Sequence, residues 1–211
     1  MKRLARSRFL TSILVCGLAA VAVTYGVNLI RFATMSAVSS PERIVAALAP
    51  FTDKQGVGAS AREALARIAQ KSTPDRLEDA LADHLSVAPA STYEWALLAQ
   101  IRLNTGEGID KAQTALLLSN LTGPNEAGVM SLRAVIGLSI WDVLSPSLKR
   151  AVIADAIGGW DDIGEHQRQV LSKLLAVADE KTHQDIRAAL MFADPKGQMI
   201  SADLGLEPAA Q

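Results

Sequence analysis

The sequence predicts an all-α protein with one N-terminal transmembrane helix over residues 9–30, then an array of short antiparallel helical hairpins. Three observations carry this. The twenty-two residues from Phe9 to Ile30 contain no charge. Beyond them, apolar residues recur at helical spacing between Gly, Pro and Ser/Thr punctuation. No segment alternates apolar and polar residues between hairpin turns, so a sheet is not expected.

A helix rises about 1.5 Å per residue, so the charge-free run reaches about 33 Å, enough for a hydrocarbon core of about 30 Å. Lys2, Arg3, Arg6 and Arg8 precede it without an acid, and only Arg31 and Arg43 follow closely. By the positive-inside rule, residues 1–8 form a cytoplasmic basic tail and the body is exported. In a bacterium this means a single pass of the inner membrane with residues 31–195 in the periplasm. Ala20-Val21-Ala22 offers a small-x-small cleavage pattern, but a signal-peptide apolar region spans about 7–15 residues and this run is longer, so an uncleaved anchor is expected. Cys16 is the only cysteine, which excludes an internal disulfide. Val15 precedes it where a lipid-acylation site needs a small residue, so Cys16 reads as an apolar residue within the membrane.

The chain holds 21 basic and 22 acidic residues, but residues 1–31 carry five bases and no acid. The remainder therefore has 16 bases and 22 acids, a net charge of −6. Nucleic-acid binding needs a basic patch, so this acidic body argues against it. Abundant Ala and Leu with few aromatics suit small, closely packed helices.

The elements follow in order. Ser39-Ser40-Pro41-Glu42 has the cap, first-turn Pro and early acid of a helix start, and that helix runs to Pro50. Ala61, Ala64, Leu65, Ile68 and Ala69 mark the next. Thr73 caps a helix bearing Leu77, Ala80, Leu81, Leu85 and Ala88, ended by Pro89. Helices are expected at 92–104, 109–121 and 126–142, separated by turns at Gly106-Glu107-Gly108 and Gly123-Pro124-Asn125. Ser145-Pro146 opens another that runs to Ala156, and Gly158-Gly159-Trp160-Asp161-Asp162 breaks it. Val170, Leu171, Leu174, Leu175 and Ala178 form a clean stripe, and a last helix spans 182–193 before Asp194-Pro195. Residues 196–211 have weak periodicity and read as a flexible tail.

The middle of the chain resembles the tetratricopeptide repeat (TPR), a 34-residue helix–turn–helix unit. Pro89 and Trp95 have the separation of the Pro that ends one repeat and the Trp that opens the next. Trp95, Leu98 and Ala99 match the large–large–small run of a first helix. Ala112, Leu116, Ser119 and Pro124 match the second. The turn is one residue longer than usual and Arg102 replaces an aromatic. One repeat is complete, within roughly residues 75–140, and a single repeat needs neighbours to cover its apolar face.

A second resemblance rests on Gly123-Pro124-Asn125-Glu126, Ser131-Leu132-Arg133 and the run from Ile140-Trp141 through Leu144-Ser145-Pro146-Ser147-Leu148-Lys149-Arg150. These look like motifs of small anchored TPR-like proteins that accompany bacterial exopolysaccharide or capsule assembly, the VpsP-like type. The resemblance implies an accessory role in polymer production or export and carries no catalytic site with it.

Chemical motifs are sparse. His84 sits at the edge of a stripe, Glu165 and His166 point apart on a helix, and Glu180-x-x-His183 lacks the second pair that a di-iron bundle needs. No metal or cofactor is expected. Gly56-Val57-Gly58 lacks the Lys of a phosphate loop. Asp161 and Asp162 read as cap and helix-dipole residues rather than a catalytic pair. Trp95 and Trp141 are expected in the core.

Arg102, Arg133 and Trp160 are the candidate partner-binding residues. Trp160 stands in a loop, and Arg133 interrupts an apolar helix where it either lines a concave groove or pairs with Glu94 or Glu126. The expected function is a non-enzymatic, membrane-anchored scaffold that binds a protein of the polysaccharide machinery. The alternatives are a general envelope TPR adaptor and an anchored glycan-active enzyme using Asp161 and Asp162.

Overall fold

Helix boundaries fall mostly where the sequence punctuates them. In a computed structural model, which describes residues 2–36, 41–54, 57–72, 76–106 and 108–206, every regular element is helical. Helix α1 (Lys2–Ser36) carries the charge-free run. Within it, Val15–Thr34 is the one stretch among the described residues long and apolar enough to cross a membrane. No Pro interrupts α1, so its backbone hydrogen bonds run unbroken.

Among the described residues ten further α-helices follow: α2 (Pro41–Leu48), α3 (Gly58–Ser72), α4 (Leu77–Val87), α5 (Thr92–Thr105), α6 (Ile109–Thr122), α7 (Ala127–Ser139), α8 (Pro146–Gly159), α9 (Glu165–Leu175), α10 (Glu180–Ala193) and α11 (Lys196–Asp203). The expected caps Ser39, Ser40 and Thr73 lie outside the described residues. Ser145 does cap α8, its Oγ accepting from the Leu148 N–H at 3.4 Å, with Pro146 in the first turn. Asp179 caps α10 by accepting from the Thr182 N–H at 2.7 Å. Asp161 and Asp162 do not cap α9; the Gly164 N–H donates to Gln167 Oε1 at 3.2 Å.

Two elements differ from expectation. Helix α7 stops at Ser139 instead of 142, and the chain tightens into a 3-10 turn over Trp141–Val143. Trp141 ends 3 % exposed, so the packing of one indole overrides local helix propensity. The stretch expected to be a flexible tail forms α11, with Ile200, Leu204 and Leu206 buried. Residues 207–211 lie outside the described residues.

The chain forms two compact units, Met1–Ala88 and Pro89–Gln211. In the first, Phe32 and Phe51 meet edge to face with ring centroids 6.3 Å apart. Arg62 ties α3 to its surroundings, with Asp53 at 3.0 Å and Asp83 on α4 at 3.3 Å.

In the second unit, α5 and α6 are antiparallel. Ser119 near the end of α6 donates to the Thr92 carbonyl at the start of α5, and Arg102 near the end of α5 reaches the Lys111 carbonyl at the start of α6. The repeat positions Leu98, Ala99, Ala112 and Leu116 are all buried, and the Trp95 indole donates to the Pro89 carbonyl at 2.8 Å. Pro124 is exposed, just past the end of α6.

Helices α7 and α8 are also antiparallel, and they approach closely. A Cβ on Gly159 would lie 2.6 Å from the Ser131 backbone nitrogen, and one on Gly137 would lie 2.1 Å from Val152 Cγ2. Backbone cannot yield as a flexible side chain can, so Gly159 sets the spacing of this pair.

Gly159→Ala should therefore destabilise the protein by about 1–3 kcal/mol through overpacking. Gly128→Ala, where nothing lies within 4 Å, should instead stabilise α7 by up to about 1 kcal/mol. Urea unfolding of the full chain in mild detergent, followed by circular dichroism, measures both; equal effects would contradict the close approach.

Candidate functional site

Arg133 was expected to face a partner. The structure buries it completely, on the face of α7 that also carries Val129 and Ile136. Its guanidinium forks onto Asp155 of α8, Nε to Oδ2 and Nη2 to Oδ1, both at 2.7 Å. The remaining donors reach three carbonyls: Nη1 to Ser119 at 3.3 Å and Gly123 at 3.1 Å, and Nη2 to Pro124 at 3.2 Å. Those oxygens belong to the end of α6 and the turn after it; the Ser119 carbonyl also accepts from the Gly123 N–H, while those of Gly123 and Pro124 lie past the helix, beyond its hydrogen-bonding ladder. A planar, five-donor fork suits this task. Burial pushes the Asp155 carboxyl above its ordinary value, while the hydrogen bond and charge of Arg133 pull it back. Arg133 is thus neither a groove residue nor paired with Glu94 or Glu126.

Trp160 was the best candidate for an exposed ring. It is fully buried, and its indole N–H donates to Asp203 of α11 at 3.0 Å. Arg168 of α9 lies 5.0 Å from its ring and donates to the carbonyls of Trp160 and Ile163 at 2.8 and 2.9 Å. The loop reading failed because its partners come from α9 and from α11, the helix that the sequence did not reveal. Arg102 is half-buried and engaged within the α5–α6 hairpin. The three candidates do not converge on one site.

The alternative acid pair is equally dispersed in role. Asp161 is exposed and accepts from Lys196 Nζ at 2.8 Å; this hydrogen bond and charge hold its carboxyl below the usual range. A general acid at neutral pH needs the opposite shift. Asp162 is exposed, His84 is buried, and His183 contacts the Leu175 carbonyl. Among the described residues, no group of three or more His, Cys, Asp or Glu side chains could hold a metal ion.

The feature with binding geometry is a groove between α8 and α10, about 740 Å³ in volume. One face of α8 supplies Pro146, Ile153, Ala154 and Ile157, while Ala189, Phe192 and Ala193 come from α10. Trp141 lines this groove and also a second hollow of about 360 Å³ that holds Ile109, Val143, Leu174 and Val177. One indole therefore partitions two adjoining apolar lobes. Phe192 and Val177 are 95 % and 85 % exposed, an arrangement that costs solubility unless something covers it. The volume falls within the range of about 300–1,000 Å³ typical of ligand sites.

Charge on the rims is ordered. Lys149 and Arg150 stand on the α8 side, and Asp185 and Asp194 on the α10 side. Lys149 Nζ lies 4.8 Å from the Trp141 ring centroid. The Thr182 hydroxyl donates to Asp142, so α10 departs from the same end as α8. The Trp141 indole N–H is buried and has no acceptor.

Set against known proteins, the chain matches no family profile, no curated sequence and no solved structure. The groove was absent from the sequence expectations. Ile153 and Ile157 stand one turn apart on α8, but the opposing α10 face is built of small residues and one Phe and gives no apolar stripe to read.

Replacing Arg133 with Met should cost about 3–5 kcal/mol, because it strands a buried carboxylate. Adding Asp155→Leu should recover only part of that loss, since the carbonyls of Gly123 and Pro124 lose the donor that Arg133 supplies. Denaturant unfolding of the single and double variants measures the difference; full recovery would mean that the carbonyl contacts contribute nothing.

Proposed function

We propose that this protein is a non-enzymatic, membrane-anchored adaptor that holds a protein partner on the α8–α10 surface of its C-terminal unit. The observation that carries this is the two-lobed apolar depression around Trp141, with Phe192 and Val177 standing in water. Such a surface on an isolated chain is accounted for by a covering partner. The apolar N-terminal helix supports the anchoring half of the proposal. Tethering confines the docking surface to a thin layer at the membrane and raises its effective concentration for partners in that layer.

In its finer form, the proposal takes the N-terminus as cytoplasmic, the body as a periplasmic TPR-like hairpin array, and the partner as a component of exopolysaccharide synthesis or export. The charge asymmetry about Phe9–Ile30 supports the orientation. The motifs from Trp95 to Arg150 support the array and the polymer. The held-down Asp161 carboxyl weighs against the glycan-active enzyme.

Deleting the chain in its bacterium should lower extracellular or capsular polysaccharide, and the wild-type gene should restore it. Phe192→Asp, at a position with little folded-state contact, should accumulate normally yet fail to restore polymer. Unchanged polymer in the deletion would remove the exopolysaccharide assignment and direct attention to another envelope complex. Full rescue by Phe192→Asp would remove the α8–α10 surface from any role in polymer production.

A further inference from the structure

We infer that the occupant of the α8–α10 groove is an amphipathic helix, with an apolar stripe between one acidic and one basic flank. This rests on the adaptor proposal and narrows it to a partner chemistry.

Shape comes first. Pro146 to Gly158 line the groove along α8, and at about 1.5 Å per residue they span about 18 Å, or some three helical turns. Ala154, Ala189 and Ala193 leave room on both walls for large side chains from outside. A helix laid along such a trough inserts its residues at i, i+3, i+4 and i+7.

Backbone chemistry comes second. The walls are helices whose own N–H and C=O groups are already paired, and they line the groove with apolar side chains. An extended peptide would press its unpaired backbone groups against them, which is unfavourable without compensating hydrogen bonds. A helix arrives with its backbone satisfied.

The rims decide the flanks. Arg150 and Asp185 form no ion pair among the described residues, and they face the groove from opposite walls. An acid on the incoming helix meets Lys149 and Arg150, and a base meets Asp185 and Asp194. A single-chain lipid with an anionic head would satisfy the cations and leave the two aspartates facing like charge, so the opposed rims favour the helix.

The test uses the full chain in zwitterionic lipid nanodiscs and three fluorescein-labelled 18-residue peptides sharing one Leu stripe. Their flanks carry Glu and Lys on opposite sides, Glu on both, or Lys on both. Fluorescence anisotropy, corrected with empty nanodiscs, should show the mixed peptide binding at least about tenfold tighter than either uniform peptide. Phe192→Asp should abolish that binding. Lys149→Glu with Arg150→Glu makes both rims acidic and should transfer the preference to the all-Lys peptide.

Equal binding of the three peptides, or none, would overturn the inference. So would displacement of the mixed peptide by dodecyl phosphate at lower concentration than by unlabelled peptide, which assigns the groove to a lipid. Concentration-dependent dimerisation of the full chain abolished by Phe192→Asp would overturn it in favour of a second copy. The two proposals separate cleanly. A polymer defect in Phe192→Asp with no peptide preference leaves the adaptor and removes the helix. Peptide preference without a polymer defect does the reverse.

Discussion

The C-terminal unit depends on one buried ion pair. Arg133 and Asp155 join α7 to α8 through two parallel hydrogen bonds in the interior. The same guanidinium closes the carbonyl end of α6, so three consecutive helices share one cation. Ser119, which accepts from it, also donates to the start of α5. A buried charge is tolerated only with complete pairing, and here every donor of the fork has an acceptor. An apolar substitute could fill the volume, but it could not donate to the Gly123 and Pro124 carbonyls just past α6.

This pair also positions the candidate docking surface. Asp155 holds the inward face of α8, which leaves Lys149, Arg150, Ile153 and Ile157 for the side toward α10. The close approach at Gly159 fixes the far end of the same helix. Trp160 continues the theme just beyond it, bound by Arg168 from α9 and Asp203 from α11. Two arginines thus organise the interior, while a tryptophan that the sequence placed near the surface supplies part of the core. The surface left over is apolar, which is why the proposed binding role rests on packing and not on any reactive group.

Much of the fold was legible from residue pattern. The membrane-length helix could be read because its twenty-two charge-free residues form one unbroken apolar run. Helices α3 to α6 could be read because their apolar spacing and their turns agree. The weaker cases have physical causes. Trp141 left the helical path because burying its ring outweighed local propensity. Helix α11 escaped notice because it holds few large apolar residues, and the burial of Ile200 within it and of Leu204 and Leu206 just past it depends on the rest of the unit.

By itself, then, the sequence determined what is local: the helical class, the membrane-length apolar segment, the positions of most turns, and the Ser145 cap. These follow from backbone preferences and hydrophobic period, which act within a few residues. Only the tertiary structure decided what Arg133, Trp160 and the α8–α10 groove are. Arg133 and Asp155 lie twenty-two positions apart, and Trp160 and Asp203 forty-three. No local pattern marks such a pairing, and whether an Arg or a Trp meets water or a partner depends on which helix folds over it.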